Sequence, residues 1–288
     1  MPTDTSEKGL ETLIVDFLVN EAGYAPGSNE DYSREHVIDL AKLRAFLETT
    51  QPDTVETLAL DQDCPKRTQF LYRLDAEMAK RGVIDVLRKG VKHGPVSLDL
   101  FYGTPSSGNT RAAELHAANI FSVTRQLRYS RDEKQLALDL AIFINGLPVA
   151  TFELKNSLTK QTVDDAVRQY MRDRSPDEPL FRFGRCVVHF AVDDHEVRMC
   201  THLKGRHSWF LPFNQGWNDG AGNPPNPHGL KTDYLWKEIL ARPGLTDILK
   251  KYAQIVQEED ERGRKKSPRQ SFPRYHQLDV VRKLLADA

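Results

Sequence analysis

The sequence has few cysteines, no long apolar run and no excess of charge, and each shortage excludes a class of protein. The three cysteines, Cys64, Cys186 and Cys200, lie far apart and outside any metal-ligand spacing, which argues against a disulfide framework and a zinc finger and indicates reduced thiols. No apolar run approaches the roughly 20 residues that span a membrane. Residues 1–9 are polar and do not form a secretory signal. We therefore expect a cytoplasmic protein without a membrane partner.

The charge balance excludes a protein that binds nucleic acid through its overall charge. Forty basic residues face 41 acidic ones, for a formal net charge of −1, although a local basic cleft stays compatible with that balance. One basic cluster runs from Arg262 to Arg269. The sequence also lacks GxxxxGK[ST], the loop that cradles nucleotide phosphates. We therefore do not expect this chain to hydrolyse ATP by itself.

Hydrophobic periodicity predicts a mixed α/β (or α+β) protein whose central sheet is flanked by helices. A long Gly/Pro/Asn loop over 214–229 interrupts the pattern, and loops of this length are usually functional or mobile. The predicted helices are 10–22, 31–50, 66–90, 111–117, 161–173, 232–241, 245–261 and 275–286. The predicted strands are 95–102, 120–129, 135–144, 148–155, 184–192 and 196–201.

Two apolar strands joined at Asn145-Gly146 carry three charges near one end of the predicted hairpin: Asp139, Glu153 and Lys155. A carboxylate in an apolar strand is costly unless it is paired or bound to metal. Mg²⁺ prefers oxygen ligands, and Lys155 lies on the same strand face as Glu153 because side chains alternate. The set predicts metal-assisted phosphodiester hydrolysis. The alternative is a pair of polar strand ends near solvent. Asp99 is a competing aspartate, but no ExK follows it nearby.

The hairpin register provides a test of this site. A flush two-residue turn at Asn145-Gly146 would pair residue 139 with 152 and put Glu153 on the opposite face of the sheet. An odd-length loop, or a bulge elsewhere in the hairpin, would instead put Asp139 and Glu153 on the same face of the sheet. Pro148 lacks an N–H and makes an irregular connection plausible. We therefore predict an odd-length loop or a bulge.

The hairpin segment LDLAIFINGLPVATFELKN resembles that of the PD-(D/E)xK nuclease domain at the N-terminus of type I restriction enzyme R subunits. The flanking segments NIFSVTRQLRYS, RCVVHFAVDDHEVRMCT and FLPFNQGWNDGAGNPPNPHG support the resemblance, as does the terminal FPRYHQLDVVRKLLADA, which is similar to the start of a helicase motor. The resemblance implies a restriction-endonuclease-like core and Mg²⁺-dependent cleavage of double-stranded DNA, with Mn²⁺ as an alternative metal. In such enzymes, cleavage is coupled to ATP-driven translocation and involves methyltransferase and specificity subunits.

The resemblance also assigns roles to individual residues. Asp139 and Glu153 match the metal ligands, Lys155 the catalytic lysine, and Gln277 a glutamine that reads adenine in a longer protein. Glu11 matches an acidic position that some members use beside the metal, although we favour an ordinary surface charge there. Gln169 matches the glutamine of a Gln-x-x-x-Tyr motif or lies on a solvated helix face. Asp173 replaces the tyrosine of that motif, and Tyr170 follows Gln169 directly.

Basic and aromatic residues near the hairpin are further candidates. Phosphate contacts are predicted from arginines before the hairpin and around the next helix, the alternative being a solvated face. They are Arg125, Arg128, Arg131, Arg168, Arg172 and Arg174. Core packing is predicted for the aromatics Trp209, Phe210, Phe213 and Trp217, ahead of stacking on bases. His189, in an apolar strand, is predicted to be a core histidine.

The domain division expected from these features is a nuclease domain over 1–261, a basic linker over 262–274, and the first helix of a truncated motor over 275–288.

Three function hypotheses follow from the sequence, and the first is a nuclease. The second is a non-catalytic module that docks DNA or subunits and keeps a relic nuclease fold. A third, a stand-alone repair nuclease, would cut without ATP, and the motor-like ending argues against it.

Overall fold

The computed structural model describes residues 7–259 and 263–287 of the chain. The α-helices are α1 (Glu7–Asn20), α2 (Leu40–Thr50), α3 (Pro52–Leu58), α4 (Pro65–Lys89), α5 (Thr110–Ala117), α6 (Val163–Arg172), α7 (Arg242–Asp247) and α8 (Tyr275–Ala286). Short 3₁₀ turns cover Ser157–Thr159 and Pro179–Phe181, and π-helical turns cover Leu235–Ile239 and Ile248–Tyr252. None of the helices in the described ranges is both long and apolar enough to cross a membrane.

The strands are β1 (Ala25–Pro26), β2 (Tyr32–Ser33), β3 (Ile38–Asp39), β4 (Val91–His93), β5 (Val96–Leu98), β6 (Phe121–Arg128), β7 (Ala137–Ile144), β8 (Leu147–Leu154), β9 (Val188–Val192), β10 (Val197–Cys200), β11 (Leu211–Pro212), β12 (Gln254–Val256) and β13 (Arg269–Ser271). Seven of them form one sheet in the order β1-β6-β7-β8-β9-β10-β11. The β1–β6 and β8–β9 pairs are parallel and the other pairs are antiparallel. This mixed sheet with flanking helices confirms the predicted fold class.

Two apolar layers cover the sheet. The larger one joins the strands to α1, α2 and α4, with Leu18, Phe46 and Phe70 buried in it. The smaller one lies beneath α6 and includes Tyr170 and Phe181. All eight residues of β8 are buried, since helices cover both faces of the sheet at its centre. A charge on β8 therefore has to find its partners inside the protein.

The hairpin of β7 and β8 combines a flush turn with a bulge. Ile144 pairs with Leu147 across Asn145-Gly146, and both turn residues have positive φ, 51° and 82°, as a type I′ turn requires. The register then shifts, because Phe143 pairs with Pro148 but Ile142 pairs with Ala150. The extra residue is Val149, so the ladder continued one pair beyond Leu140–Phe152 places Asp139 opposite Glu153. The predicted bulge is confirmed.

Several predicted elements differ from the structure. Residues 31–50 include the β2–β3 hairpin before α2, and the predicted strand 95–102 is strand only at β5, which pairs with the short β4. The predicted helix 245–261 ends at Tyr252, and β12 follows and pairs with β13; its last two residues lie outside the described part. The reason is tertiary, because Gln270 of β13 donates from Nε2 to the carbonyls of Cys186 and Val187, 2.8 Å away in each case.

The C-terminal helix α8 is anchored to the rest of the chain at its first turns. The ring of Tyr275 lies 5.1 Å from that of Tyr234, and Leu278 is buried in the larger core. Phe272, just before the helix, is also buried there. The start of α8 is therefore packed on the rest of the chain, whereas Leu284 and Leu285 near its end are exposed. The domain boundaries stay a prediction.

Replacing Gly146 with Ala tests the turn that sets the hairpin register. A Cβ there would lie 2.4 Å from the Asp39 carbonyl oxygen and 2.8 Å from the Leu43 nitrogen. We expect a loss of about 2–5 kcal/mol in the free energy of unfolding, from left-handed strain and overpacking together. Gly108→Ala is the matched control, since Gly108 has the same φ of 82° with no atom within 4 Å, and should lose only about 1–2 kcal/mol. Equal losses in urea denaturation would contradict this account.

Candidate active site

The candidate site lies where β6, β7, β8 and β9 meet at one end of the sheet. The register places Asp139 near the start of β7 opposite Glu153, the next-to-last residue of β8. Lys155 follows that strand, and its backbone N–H donates to the Val192 carbonyl of β9 over 2.9 Å. Glu153 is fully buried and Lys155 is 8% exposed. The structure therefore brings the three residues predicted from the hairpin to one end of the sheet.

Asp139 connects the two strands where their ladder ends. Its Oδ2 accepts a hydrogen bond of 2.6 Å from the Leu154 backbone N–H. Its Oδ1 lies 3.4 Å from the Nε2 donor of Gln126. Asp139 is half-buried whereas Glu153 is fully buried. The end of the hairpin is therefore accessible to solvent beside Asp139 but not beside Glu153. The aspartate carboxylate is the more accessible of the two.

Glu153 is held in a buried ion pair that sequence reasoning did not predict. Its Oε1 accepts a 2.6 Å hydrogen bond from Nε of Arg174, whose side chain is 6% exposed. The guanidinium also donates to the Ala137 carbonyl over 2.8 Å and lies over the ring of Tyr129. Arg174 was predicted to contact DNA, and it instead points into the protein, because the buried carboxylate needs a cation. The apolar strand around Glu153 was the signal in the sequence. It indicated that the carboxylate needs a cationic partner but did not identify Arg174.

The second oxygen of Glu153, Oε2, is buried and has no hydrogen-bond partner among the described residues. Burial raises the pKa of the Glu153 carboxyl to about 8; the Arg174 guanidinium offsets part of this shift, and the nearby Asp139 charge adds to it. A buried carboxylate oxygen without a donor is costly, so it favours either a proton or a second cation. The unsatisfied Oε2 of Glu153 is therefore the structural feature that fits a bound metal ion.

Glu11 lies beside this site. Its Oε2 accepts a 2.6 Å hydrogen bond from Nε2 of Gln126, the same nitrogen that approaches Asp139. Gln126 has a left-handed φ of 47°, and this turns its side chain between the two carboxylates. Glu11 also faces Arg125, with 3.9 Å between Oε1 and the guanidinium. Glu11 therefore lies close to the candidate site, and both its interpretation as an ordinary surface charge and its metal role stay predictions.

Within residues 7–259 and 263–287, no three His, Cys, Asp or Glu side chains converge in a complete protein-only metal site. Mg²⁺ does not require such a cluster, since it commonly keeps several waters and takes only one or two carboxylates. Asp139 and Glu153 would supply those carboxylates, so the donor set fits a hard divalent cation. Lys155 has a polar partner within the structure and adds positive charge beside Glu153.

The helix α6 fixes the floor of the site. Tyr170 is fully buried, and its hydroxyl lies 2.8 Å from Oγ1 of Thr151, which in turn lies 2.7 Å from Nδ1 of His189. His189 is thus the predicted core histidine, and burial lowers its pKa to about 3. Gln169 is half-buried on α6, and the exposed Asp173 is the residue that caps the helix C-terminus. The tyrosine adjacent to Gln169 therefore stabilises the fold from inside.

The predicted DNA-contacting arginines differ in their surroundings. Arg125 pairs with Asp16 at 3.5 Å as well as with Glu11, and Arg168 pairs with Asp165 of the same helix. The side chains of Arg128, Arg131 and Arg172 are exposed. Gln277 lies in the first turn of α8, where its Oε1 accepts a hydrogen bond of 3.0 Å from the Arg274 N–H. Their roles in binding stay predictions.

The predicted core packing of the aromatic cluster holds only in part. Phe213 is fully buried, and Phe210 packs with its ring 5.6 Å from that of Tyr170. Trp209 and Trp217, by contrast, expose 76% and 49% of their surface. The prediction is wrong for both tryptophans. Phe210, rather than its neighbour Trp209, takes the contact with Tyr170 of α6, and Trp217 lies in a turn closed by its bridge to Gly220.

Replacing Arg174 with Ala tests the buried pair. Glu153 binds its proton more tightly in the folded than in the unfolded chain, so stability falls as pH rises from about 4.5 to about 8. We expect the variant to lose about 3–5 kcal/mol at pH 8.5, where the buried carboxyl without its guanidinium must either carry an unpaired charge or bind a proton from a basic solution, and less at pH 5, where it is protonated in both proteins. Arg168→Ala, on the exposed face of α6, should lose at most about 1 kcal/mol at either pH. Urea unfolding at both pH values provides the measurement, and a pH-independent loss would contradict the assignment.

The comparisons with known proteins agree with this geometry. A family model described as the type I restriction enzyme R protein N terminus matches residues 4–208, which include α1, the whole hairpin, α6 and most of the loop after β10. A search of curated proteins found no match. The family match spans well over half of the 288 residues and confirms the resemblance seen in the hairpin and its flanks. The chain therefore belongs to the family of type I restriction enzyme R protein N termini.

Proposed function

We propose that this chain is the Mg²⁺-dependent endodeoxyribonuclease part of a type I restriction R subunit and hydrolyses phosphodiester bonds of double-stranded DNA. The observation that carries the proposal is the pair of carboxylates at the end of one hairpin, one of them fully buried with an oxygen that has no donor among the described residues. Family membership supports a nuclease-like role in a restriction system. Mn²⁺ is the expected substitute for Mg²⁺.

The residues divide the chemistry among them in this proposal. Asp139 and Glu153 would hold the cation, which when bound supplies Lewis-acid stabilisation of the phosphate and a more acidic water. Lys155 would place positive charge next to the reacting phosphate and orient the attacking water. Arg174 keeps the Glu153 carboxylate in place through Oε1 and leaves Oε2 for the cation.

Membership of the family supports a proposal for the partners and the energy supply. We propose that the chain acts with methyltransferase and specificity subunits, and that ATP is used by a motor in the full-length protein rather than by these residues. Gln277 would read adenine there, and the exposed arginines would contact the DNA backbone. Such phosphate contacts are independent of sequence and sensitive to salt.

One observation favours a second candidate, a non-catalytic docking module. Arg174 already provides Glu153 with a cation of its own, so the carboxylate has a structural role that requires no metal. In that case Lys155→Ala would be tolerated and the nuclease fold would be a relic. The metal affinity of the hairpin distinguishes the two functions.

Calorimetric titration with Mn²⁺ is the test of the cation site. We expect wild type to bind and both Asp139→Asn and Glu153→Gln to lose measurable binding, because each removes a charged oxygen ligand. Asp99→Asn is the matched control, since Asp99 is exposed and follows β5, outside the seven-stranded sheet; it should bind as wild type does. Circular dichroism checks that the variants fold. Equal binding in all four proteins, or none in any, would favour the docking module.

Plasmid cleavage tests the nuclease itself. With Mg²⁺ or Mn²⁺ we expect nicking or linearisation of supercoiled DNA, and a loss of about 100-fold or more in rate for Lys155→Ala, because a positioned charge or proton donor contributes about 10²–10⁴-fold. The assay is run on the chain and on the assembled complex with ATP. Asp99→Asn should cut at the wild-type rate. Wild-type cleavage by Lys155→Ala would contradict the proposed role.

A further inference from the structure

The loop between β10 and β11, residues 201–210, presents an unusual set of exposed side chains. Lys204, Arg206, His207 and Trp209 are all exposed, and Trp209 is 76% exposed. The exposed indole offers a flat face on which the ring of a ligand can stack. The sequence from residue 197 to 218 contains no Asp or Glu. The loop is therefore a locally positive surface on a chain whose net charge is −1.

The backbone of this loop is fixed by its own hydrogen bonds. Oγ of Ser208 accepts from the Lys204 N–H over 2.8 Å and donates to the Gly205 carbonyl over 2.7 Å. The Ser208 N–H also donates to the Gly205 carbonyl, and Gly205 adopts a left-handed φ of 55°. A ligand would therefore meet side chains on an ordered backbone, which lowers the entropy cost of binding.

The loop packs against the helix that forms the floor of the candidate active site. A Cβ at Gly205 would lie 3.9 Å from the Met171 carbonyl oxygen, which places the loop beside the exposed Arg172. Phe210 packs on Tyr170, whose hydroxyl reaches Thr151, two residues before Glu153 on β8. The exposed side chains and the catalytic candidates are thus joined through α6.

The basic side chains of this surface have no acidic partners in the described part of the chain. Among those residues, Lys204, Arg206 and Arg172 form no ion pair, whereas Arg168 on the same helix pairs with Asp165. Arg81 and Arg67 on α4, by contrast, pair with acidic residues of their own or the preceding segment. Basic side chains without ion pairs beside an exposed indole fit an anionic ligand that also has flat rings.

We propose that the Trp209 surface, defined as residues 201–210 with Arg172, binds single-stranded or locally unpaired DNA. A base would stack on the Trp209 indole, and backbone phosphates would contact Lys204, Arg206 and Arg172. The ligand is an unpaired strand rather than duplex, because a base within a duplex has no free face for the indole. The proposal rests on the proposed function only in taking DNA as the partner; it does not require cleavage.

The test measures DNA binding without metal, so that cleavage plays no part. Tryptophan fluorescence and anisotropy are recorded in EDTA with a 20-nucleotide oligothymidylate, a 20-base-pair duplex and poly-glutamate as a polyanion without bases. The variants are Trp209→Ala and Lys204→Glu/Arg206→Glu. Their controls are Trp217→Ala, which removes the other exposed tryptophan, and Lys66→Glu/Lys92→Glu, which reverses two exposed charges on the elements of the larger core.

We expect oligothymidylate to quench the fluorescence of wild type and Trp217→Ala but not of Trp209→Ala. The dissociation constant of Trp209→Ala should rise about 5- to 150-fold, as expected when one base no longer stacks. The Lys204→Glu/Arg206→Glu variant should bind with a weaker salt dependence. The slope of log association constant against log salt concentration should become less negative by about 1.4, because two phosphates of a single strand would no longer be neutralised. The Lys66→Glu/Lys92→Glu control should bind as wild type does.

Three outcomes would overturn the proposal. They are unchanged oligothymidylate affinity in Trp209→Ala, duplex binding that is as tight and as dependent on Trp209 as single-strand binding, and poly-glutamate binding as tight as DNA binding. The last result would indicate an acidic protein surface as the partner. Failure here leaves the nuclease proposal standing if Lys155→Ala still abolishes cleavage, so the two proposals fail separately.

Discussion

Glu153 is a carboxylate without solvent exposure on the central strand of a seven-stranded sheet, and the cost of that burial determines what surrounds it. Water cannot solvate the charge, so protein groups have to. Arg174 reaches the carboxylate from beyond the end of α6, and the carbonyl of Ala137 and the ring of Tyr129 hold the guanidinium in place. Such a pair adds little net stability compared with apolar packing, but removing one partner is costly. The buried carboxylate of Glu153 therefore requires that Arg174 stay in this position.

The bulge at Val149 has a comparable importance for the geometry. Asn145-Gly146 favours a flush two-residue turn, and the structure has that turn. Without an extra residue in β8, Asp139 and Glu153 would lie on opposite faces of the sheet. The bulge keeps both the favourable turn and the shared face, since it changes the parity of the ladder between the turn and the carboxylates. A local irregularity in an otherwise regular hairpin thus brings the two carboxylates together.

The helix α6 and the loop after β10 extend the site away from the hairpin. The Tyr170 hydroxyl of α6 is hydrogen-bonded to Thr151, which is hydrogen-bonded to His189 inside the protein. The ring of Phe210 in the loop packs against the ring of Tyr170. Arg174 beyond the end of the helix serves the buried carboxylate, while Arg172 stays at the surface. Two arginines two residues apart therefore have opposite environments, and the capped end of the helix at Asp173 separates them.

The sequence by itself determined the local features of this protein. Apolar alternation and turn residues predicted β6 to β10, α5 and α6 within a few residues, and the parity argument predicted an irregular hairpin because side-chain direction depends only on residue count. The sequence did not determine which cation pairs with Glu153, that Gln126 lies between Glu11 and Asp139, that β12 and β13 pair across the basic segment, or that Trp209 faces water. Each of these depends on residues far apart in the chain, and only tertiary packing decides which of several possible partners comes within hydrogen-bonding distance.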